Sequence, residues 1–211
     1  MRKQSEILEI MQIFARENPN PQCELKFHNP YTLLVAVVLS AQSTDKGVNK
    51  ATEALFKIAD TPQKILDLGE EKLRQYIKTI GLFNNKAKNI MLLSRQLVED
   101  FDGVVPADRD TLTTLAGVGR KTANVVMNVW YHQPTLAVDT HVMRIAHRLD
   151  FSRGKTPLDV EQDLMKVLPE DMVINTNHWL VLFGRYICKA QKPLCEKCPI
   201  ADYCQSQDKK I

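Results

Sequence analysis

"LAGVGRKTANVV", residues 115–126, sets Gly117 and Gly119 around one valine, Val118, and then places Arg120 and Lys121 at the head of an apolar helical run. Glycine reaches backbone angles that other residues resist, so the pair marks a tight turn feeding a helix. The first N–H groups of a helix have no partner inside it and attract anions such as phosphate. Gly117, Val118, Gly119, Arg120 and Thr122 are therefore candidate phosphate contacts. Lys121 has two readings. It is a further phosphate contact on an ordinary hairpin, or it is a nucleophile: a cation at a helix start meets the positive end of the helix dipole, Arg120 adds a second charge, and a neutral amine attacks carbonyl-like carbons to form a Schiff base.

Further along, "LAVDTHVMRIAHRL" puts Asp139 at the mouth of an amphipathic helix. Aspartate is a preferred N-cap, a job that needs no chemistry. Helix-terminal donors also keep a carboxylate ionised, and such a group beside a lysine can stabilise a developing sugar cation or accept a proton. The spacing leaves both roles open.

Helical periodicity dominates the chain and strand-like alternation is nearly absent, so the fold class is all-α. The pattern predicts helices at about 3–16, 30–40, 45–58, 62–67, 70–79, 84–100, 108–115, 119–130, 140–149, 157–167 and 175–187. Asn29-Pro30, Thr61-Pro62, Asp139-Thr140 and Thr156-Pro157 each place a capping residue or a proline at a helix entrance. "GLFNNKA" (81–87) faintly echoes "GVGRKTA" (117–123). A true echo implies two hairpins aiming donors and cations at one ligand; coincidence is the alternative, because short helix-to-helix turns reuse glycine.

Charge is nearly balanced, with 28 Lys+Arg against 25 Asp+Glu, so its distribution says more than the net +3. Lys78, Lys86 and Lys88 form an acid-free run, and a second basic stretch covers 141–155, whereas 157–171 is acidic. A basic stripe beside an acidic face suits a nucleic-acid binder, although separated charge also describes an ordinary solvated surface. Glu6 and Glu9 break any apolar core near the N-terminus, which disfavours a secretory or transit peptide. The longest strongly apolar run, Leu33 to Leu39, is far short of the roughly 20 residues that span a bilayer. The expectation is a cytoplasmic chain with no membrane partner.

Four of the five cysteines crowd the C-terminal end. Cys188, Cys195, Cys198 and Cys204 follow Cys-x6-Cys-x2-Cys-x5-Cys, which fits a metal site in a reducing compartment better than a disulfide framework. Four-cysteine zinc sites usually divide into two close pairs, but only the middle gap is short here. An iron–sulfur cluster is therefore favoured over zinc. Cys23 reads as a packed residue. Lys189 and Lys192 lie between the first two ligands, where a pinned loop would hold them toward a phosphate backbone.

"LAGVGRKTA", "VDTH" and the cysteine tail, together with "LLVAVVLSAQSTD" (33–45) and "IKTIGLFNNKAKNI" (77–90), resemble the endonuclease III family of helix-hairpin-helix DNA glycosylases over nearly the whole chain. The resemblance implies a two-lobed fold: a helical barrel lobe at residues 22–132, and a lobe from 1–21 and 133–211 holding a [4Fe-4S] cluster in a loop at 188–204, with DNA in the cleft. It implies a bifunctional glycosylase and AP lyase of base excision repair that removes oxidised pyrimidines from double-stranded DNA. Lys121 matches the lysine that attacks C1′, and Asp139 the carboxylate that assists it. The base leaves, an imine links enzyme to sugar, and β-elimination cuts the strand 3′ to the abasic site. Gln42 matches the side chain that fills the space of the flipped nucleotide, and Leu82 a wedge in the base stack; unstacking a base costs only a few kcal/mol, less at a lesion. A monomer is expected. Ala116 stands where the family commonly has proline, which removes stiffness from the hairpin entrance but no donor. Two other classes compete: a non-catalytic helix-hairpin-helix DNA-binding module, and an electron carrier built on the cluster, which leaves the hairpin and Asp139 unexplained.

Overall fold

In a computed structural model, which describes residues 1–210, the chain forms α1 (Gln4–Glu17), α2 (Pro30–Ser40), α3 (Asp45–Ile58), α4 (Pro62–Leu68), α5 (Glu70–Ile77), α6 (Phe83–Phe101), α7 (Arg109–Leu112), α8 (Arg120–Val129), α9 (Thr140–Arg148), α10 (Pro157–Val167) and α11 (Glu170–Tyr186). Two 3₁₀ turns follow, Cys195–Lys197 and Ala201–Tyr203. There is no β-strand among the described residues. The helices gather into two compact units, Cys23–Gln133 and Met1–Gln22 with the chain from Pro134 on.

The Cys23–Gln133 unit is built around α2. Every residue from Tyr31 to Leu39 is buried, as a helix apolar on all faces must be. Asn29 starts it by accepting the Thr32 N–H at 2.7 Å, with Pro30 in the first turn. The apolar stripes of α3, α6 and α8 close over it. Cys23 packs against the same core.

In the other unit α1 contributes Ile7, Ile10, Met11 and Phe14, a stripe at helical spacing. Phe14 meets Phe183 of α11 edge-on, ring centroids 4.9 Å apart, and Trp179 Nε1 donates to the Asn18 carbonyl at 2.8 Å. Helix α9 adds Val142, Ile145 and Ala146 to this core. It approaches α11 at Gly184, where a Cβ would lie 3.0 Å from His141 Cβ and 3.1 Å from Arg144 Nη2. A side chain there would have to push the α9 residues back by a few tenths of an ångström.

Two helices differ from the sequence pattern. The segment predicted at 108–115 is a single turn, because the Thr113 and Thr114 hydroxyls donate back to the Asp110 and Thr111 carbonyls, each at 2.7 Å, as the chain bends toward Gly117. Helix α11 starts at Glu170 rather than 175: Pro169 opens it, and Glu170 and Asp171 complement the dipole of its first turn. Among the described residues no helix is long and apolar enough to cross a membrane.

Candidate functional site

The turn before α8 uses its two glycines differently. Gly117 has φ of +76°, and a Cβ there would lie 2.9 Å from Asn89 of α6, so both conformation and space demand glycine. Gly119, the N-cap of α8, has φ of −94°, which any residue adopts, and a Cβ there would meet nothing within 4 Å. No side chain caps α8. Gly119, Arg120 and Lys121 are exposed, Thr122 is half-buried, and Val118 turns into the core. The amine of Lys121 thus stands in the open on the first turn of a helix that starts without a side-chain cap.

Asp139 belongs to the other unit. Its Oδ1 accepts the N–H groups of both His141 and Val142 at 2.8 Å, so it caps α9. Oδ2 accepts no hydrogen bond among the described residues. His141 is held below the ordinary histidine range by burial and by Arg144 and Arg185, against the opposing charge of Asp139.

Gln42 and Leu82 come together within the Cys23–Gln133 unit. Both adopt the left-handed conformation, φ +54° and +59°, both are exposed, and a Cβ at Gly81 would lie 3.7 Å from the Gln42 carbonyl oxygen.

The basic runs form only part of the surface their sequence suggested, with Arg153 and Lys155 exposed at the end of the second. Lys78 and Lys88 are exposed, but Lys86 is only 6% exposed, because it lies on the α6 stripe with Ala87 and Ile90 and points inward. In the second run Arg144 donates to the carbonyls of Gly184 and Cys188, at 2.8 and 3.3 Å, and Arg148 also turns toward the loop after α11. The echo of residues 117–123 in 81–87 extends to the alanines, Ala87 and Ala123, both fully buried; it does not extend to a second cation aimed at a ligand, since Lys86 turns inward.

All four C-terminal cysteines are free thiols lining one cavity, shared with Leu149, Phe183, Ile187 and Ile200. Among the described residues no three Cys, His, Asp or Glu side chains converge on the position of a single ion. Thiols around a cavity rather than a point suit a multi-atom core. Donors already face the sulfurs: Arg148 Nη1 lies 3.3 Å from Cys188 Sγ, and the Lys210 N–H lies 3.4 Å from Cys195 Sγ. Such N–H donors suit the sulfurs of an anionic cluster. Burial pushes the Cys188 and Cys198 thiols up, with Arg148 opposing it at Cys188. Lys189 and Lys192 are exposed on the loop, and Lys192 has φ of +53° immediately before Pro193.

Sequence reasoning missed Lys86, Arg144 and Arg148 as structural donors. Helical spacing carries the signal: Lys86 falls on an apolar stripe, and Arg144 and Arg148 share one face of α9.

Residues 35–170 match the model of the HhH-GPD superfamily base excision DNA repair proteins, and residues 188–204 match the iron-sulfur binding domain of endonuclease III. The chain is 53% identical over 202 residues to endonuclease III of Haemophilus influenzae, covering 96% of each. To the Escherichia coli K12 endonuclease III it is 50% identical over the same share of both chains. A solved structure described as a trapped endonuclease III–DNA covalent intermediate superposes with a TM-score of 0.93 at 46% identity, covering 97% of each chain. The chain belongs to the endonuclease III family of helix-hairpin-helix base excision repair proteins: it is a DNA glycosylase and AP lyase with a [4Fe-4S] cluster.

Proposed function

We propose that this chain removes oxidised pyrimidines from double-stranded DNA and cuts the strand 3′ to the abasic site, with Lys121 as the nucleophile. The observation that carries this reading is the exposed Lys121 amine on the first turn of α8, directly after a glycine turn and with no side-chain cap on the helix. Backbone N–H groups at Gly119, Arg120 and Thr122 seat a phosphate, and the open space at Gly119 lets the backbone approach it closely. The lysine nitrogen, once neutral, attacks C1′ of the flipped nucleotide as the bond to the base breaks. Loss of the base leaves an aminal, cleavage of the C1′–O4′ bond with transfer of the amine proton to O4′ opens the sugar to an imine, and removal of a C2′ proton then expels the 3′ phosphate by β-elimination.

Asp139 serves as the assisting carboxylate. Capping occupies Oδ1, which leaves Oδ2 to stabilise positive charge on the sugar or take a proton. Gln42 and Leu82 occupy duplex space that the flipped nucleotide leaves. Gly117 and Val118 shape the hairpin, and Arg120, Lys189 and Lys192 contact phosphate. Cys188, Cys195, Cys198 and Cys204 hold the [4Fe-4S] cluster, which when bound closes the 188–204 loop as a structural anchor. Residues 22–132 act as the hairpin-bearing barrel lobe, and 1–21 with 133–211 as the lobe of the cluster loop. The protein works as a monomer in the cytoplasm, on the nucleoid if bacterial.

Borohydride reduction with abasic duplex DNA tests the reading. A covalent adduct is expected, and Lys121→Ala should abolish it while leaving DNA affinity nearly intact. No adduct from the wild type, or an undiminished one from Lys121→Ala, defeats the assignment and leaves a DNA-binding module.

A further inference from the structure

Lys86 is buried on α6, yet its Nζ has three acceptors: the Leu39 carbonyl at 2.9 Å, the Ala41 carbonyl at 2.6 Å and Ser43 Oγ at 3.0 Å. Three acceptors match the three N–H groups of an ammonium. They lie at the C-terminal end of α2, where unpaired carbonyls concentrate negative charge and favour a cation. Ala41 and Ser43 flank Gln42 in the chain. The backbone N–H of the same lysine donates to the Leu82 carbonyl at 3.1 Å. That backbone bond is the first i→i−4 bond of α6, so Lys86 lies on the turn that Leu82 opens, and its side chain ties that turn to both neighbours of Gln42.

That arrangement answers a physical need. Gln42 and Leu82 both hold left-handed backbone without being glycine, a conformation that persists only where surrounding contacts over-determine it. Both side chains are exposed, so core packing does not hold them. We propose that Lys86 is a positioning residue, which locks the Gln42 and Leu82 tips into the paired conformation that enters the duplex at a damaged site. The inference rests on the duplex-filling roles given to those two tips above. Lys86 itself touches no DNA in this scheme, although its place in a basic run suggests a phosphate contact.

The test uses the cluster-loaded protein and two duplexes, one carrying a stable abasic-site analogue opposite 2-aminopurine and one undamaged. Lys86→Met, which keeps length but has no donor, should weaken binding to the abasic duplex by about tenfold or more. It should also lose the 2-aminopurine fluorescence change of the wild type. Affinity for undamaged duplex and its salt dependence should stay at wild-type values. Lys86→Arg should restore most of the fluorescence change, and Lys86→Met added to the Gln42→Ala and Leu82→Ala pair should be no worse than that pair alone. Should Lys86→Met fold poorly, Ser43→Ala removes one acceptor and should give a smaller loss in the same direction. Wild-type discrimination in Lys86→Met or in Ser43→Ala, with Gln42→Ala impaired, overturns the inference alone. Wild-type discrimination in Gln42→Ala and Leu82→Ala overturns the duplex-filling reading, and the inference with it.

Discussion

Arg148 and Cys188 are joined twice, through the thiol and through the main chain. Nη1 lies 3.3 Å from Sγ and 3.3 Å from the Cys188 carbonyl oxygen, and the guanidinium also reaches the carbonyls of Lys189 and Ala190 at 2.7 and 3.2 Å. Asp208 holds Nε at 2.9 Å, and only 10% of the Arg148 side chain is exposed. Helix α9 therefore carries Asp139 at its N-terminus and grips the start of the cysteine loop at its C-terminal end.

Arg148→Met should loosen that grip. It strips donors from three carbonyls and a sulfur in a poorly hydrated place, a loss of about 2–4 kcal/mol for charge-assisted bonds at this burial. The expected outcome is faster decay of the cluster's visible absorption under a chelator and a lower apparent melting temperature, with Arg148→Lys intermediate. A decay rate and melting temperature equal to wild type would leave the guanidinium no part in holding the loop.

The two hairpin glycines should separate stability from binding. Gly117→Ala forces a Cβ into a left-handed backbone and against Asn89, which should destabilise the protein by about 2–4 kcal/mol. Gly119→Ala meets no atom and no forbidden angle. Its stability should hold while DNA affinity falls, if a phosphate comes as close as proposed. Denaturant titration and a binding isotherm on both variants check the pair; equal stability losses would refute the division.

The division also marks what the sequence could convey. The spacing of apolar residues and the caps at Asn29, Thr61, Asp139 and Thr156 made the helices legible, since each cap bonds within its own first turn. The GVG turn and the cysteine spacing announced themselves because their chemistry is local. That Gly117 needs its freedom while Gly119 does not depends on Asn89, which lies on another helix. Lys86 was misread for a related reason: a count of charges cannot tell a solvated lysine from one whose acceptors lie 43 to 47 positions earlier in the chain.

Lys192 provides a test of surface electrostatics. It is exposed, in a left-handed conformation that the following Pro193 makes costly, between two candidate cluster ligands. If it neutralises one phosphate, Lys192→Ala should weaken binding similarly for all sequences and reduce the slope of log affinity against log salt by about one contact. An unchanged slope measured across a salt series would remove it from the interface.

The dependence of stability on pH should have two separate stages. Burial holds His141 and His178 below the usual 6.5. The unfolded chain therefore takes up protons in a range where the folded protein resists them. Their contribution is complete above 6.5 and shrinks as pH falls beneath it, until the folded histidines protonate. The side-chain bond from Lys64 to Asp60, from Thr111 to Asp108 and from Arg153 to Asp150, and the backbone N–H of Thr156 to Asp159, hold these carboxyls below 3.8. Their stabilisation is present above 3.8 and disappears only at more acid pH. The decline between about pH 7 and 5 thus belongs to the histidines. Apparent melting temperatures of the cluster-loaded protein should drop over that interval, and His178→Asn should flatten the drop relative to wild type, a comparison in which any acid lability of the cluster is common to both. An equally steep decline in His178→Asn would mean that its burial does not resist protonation.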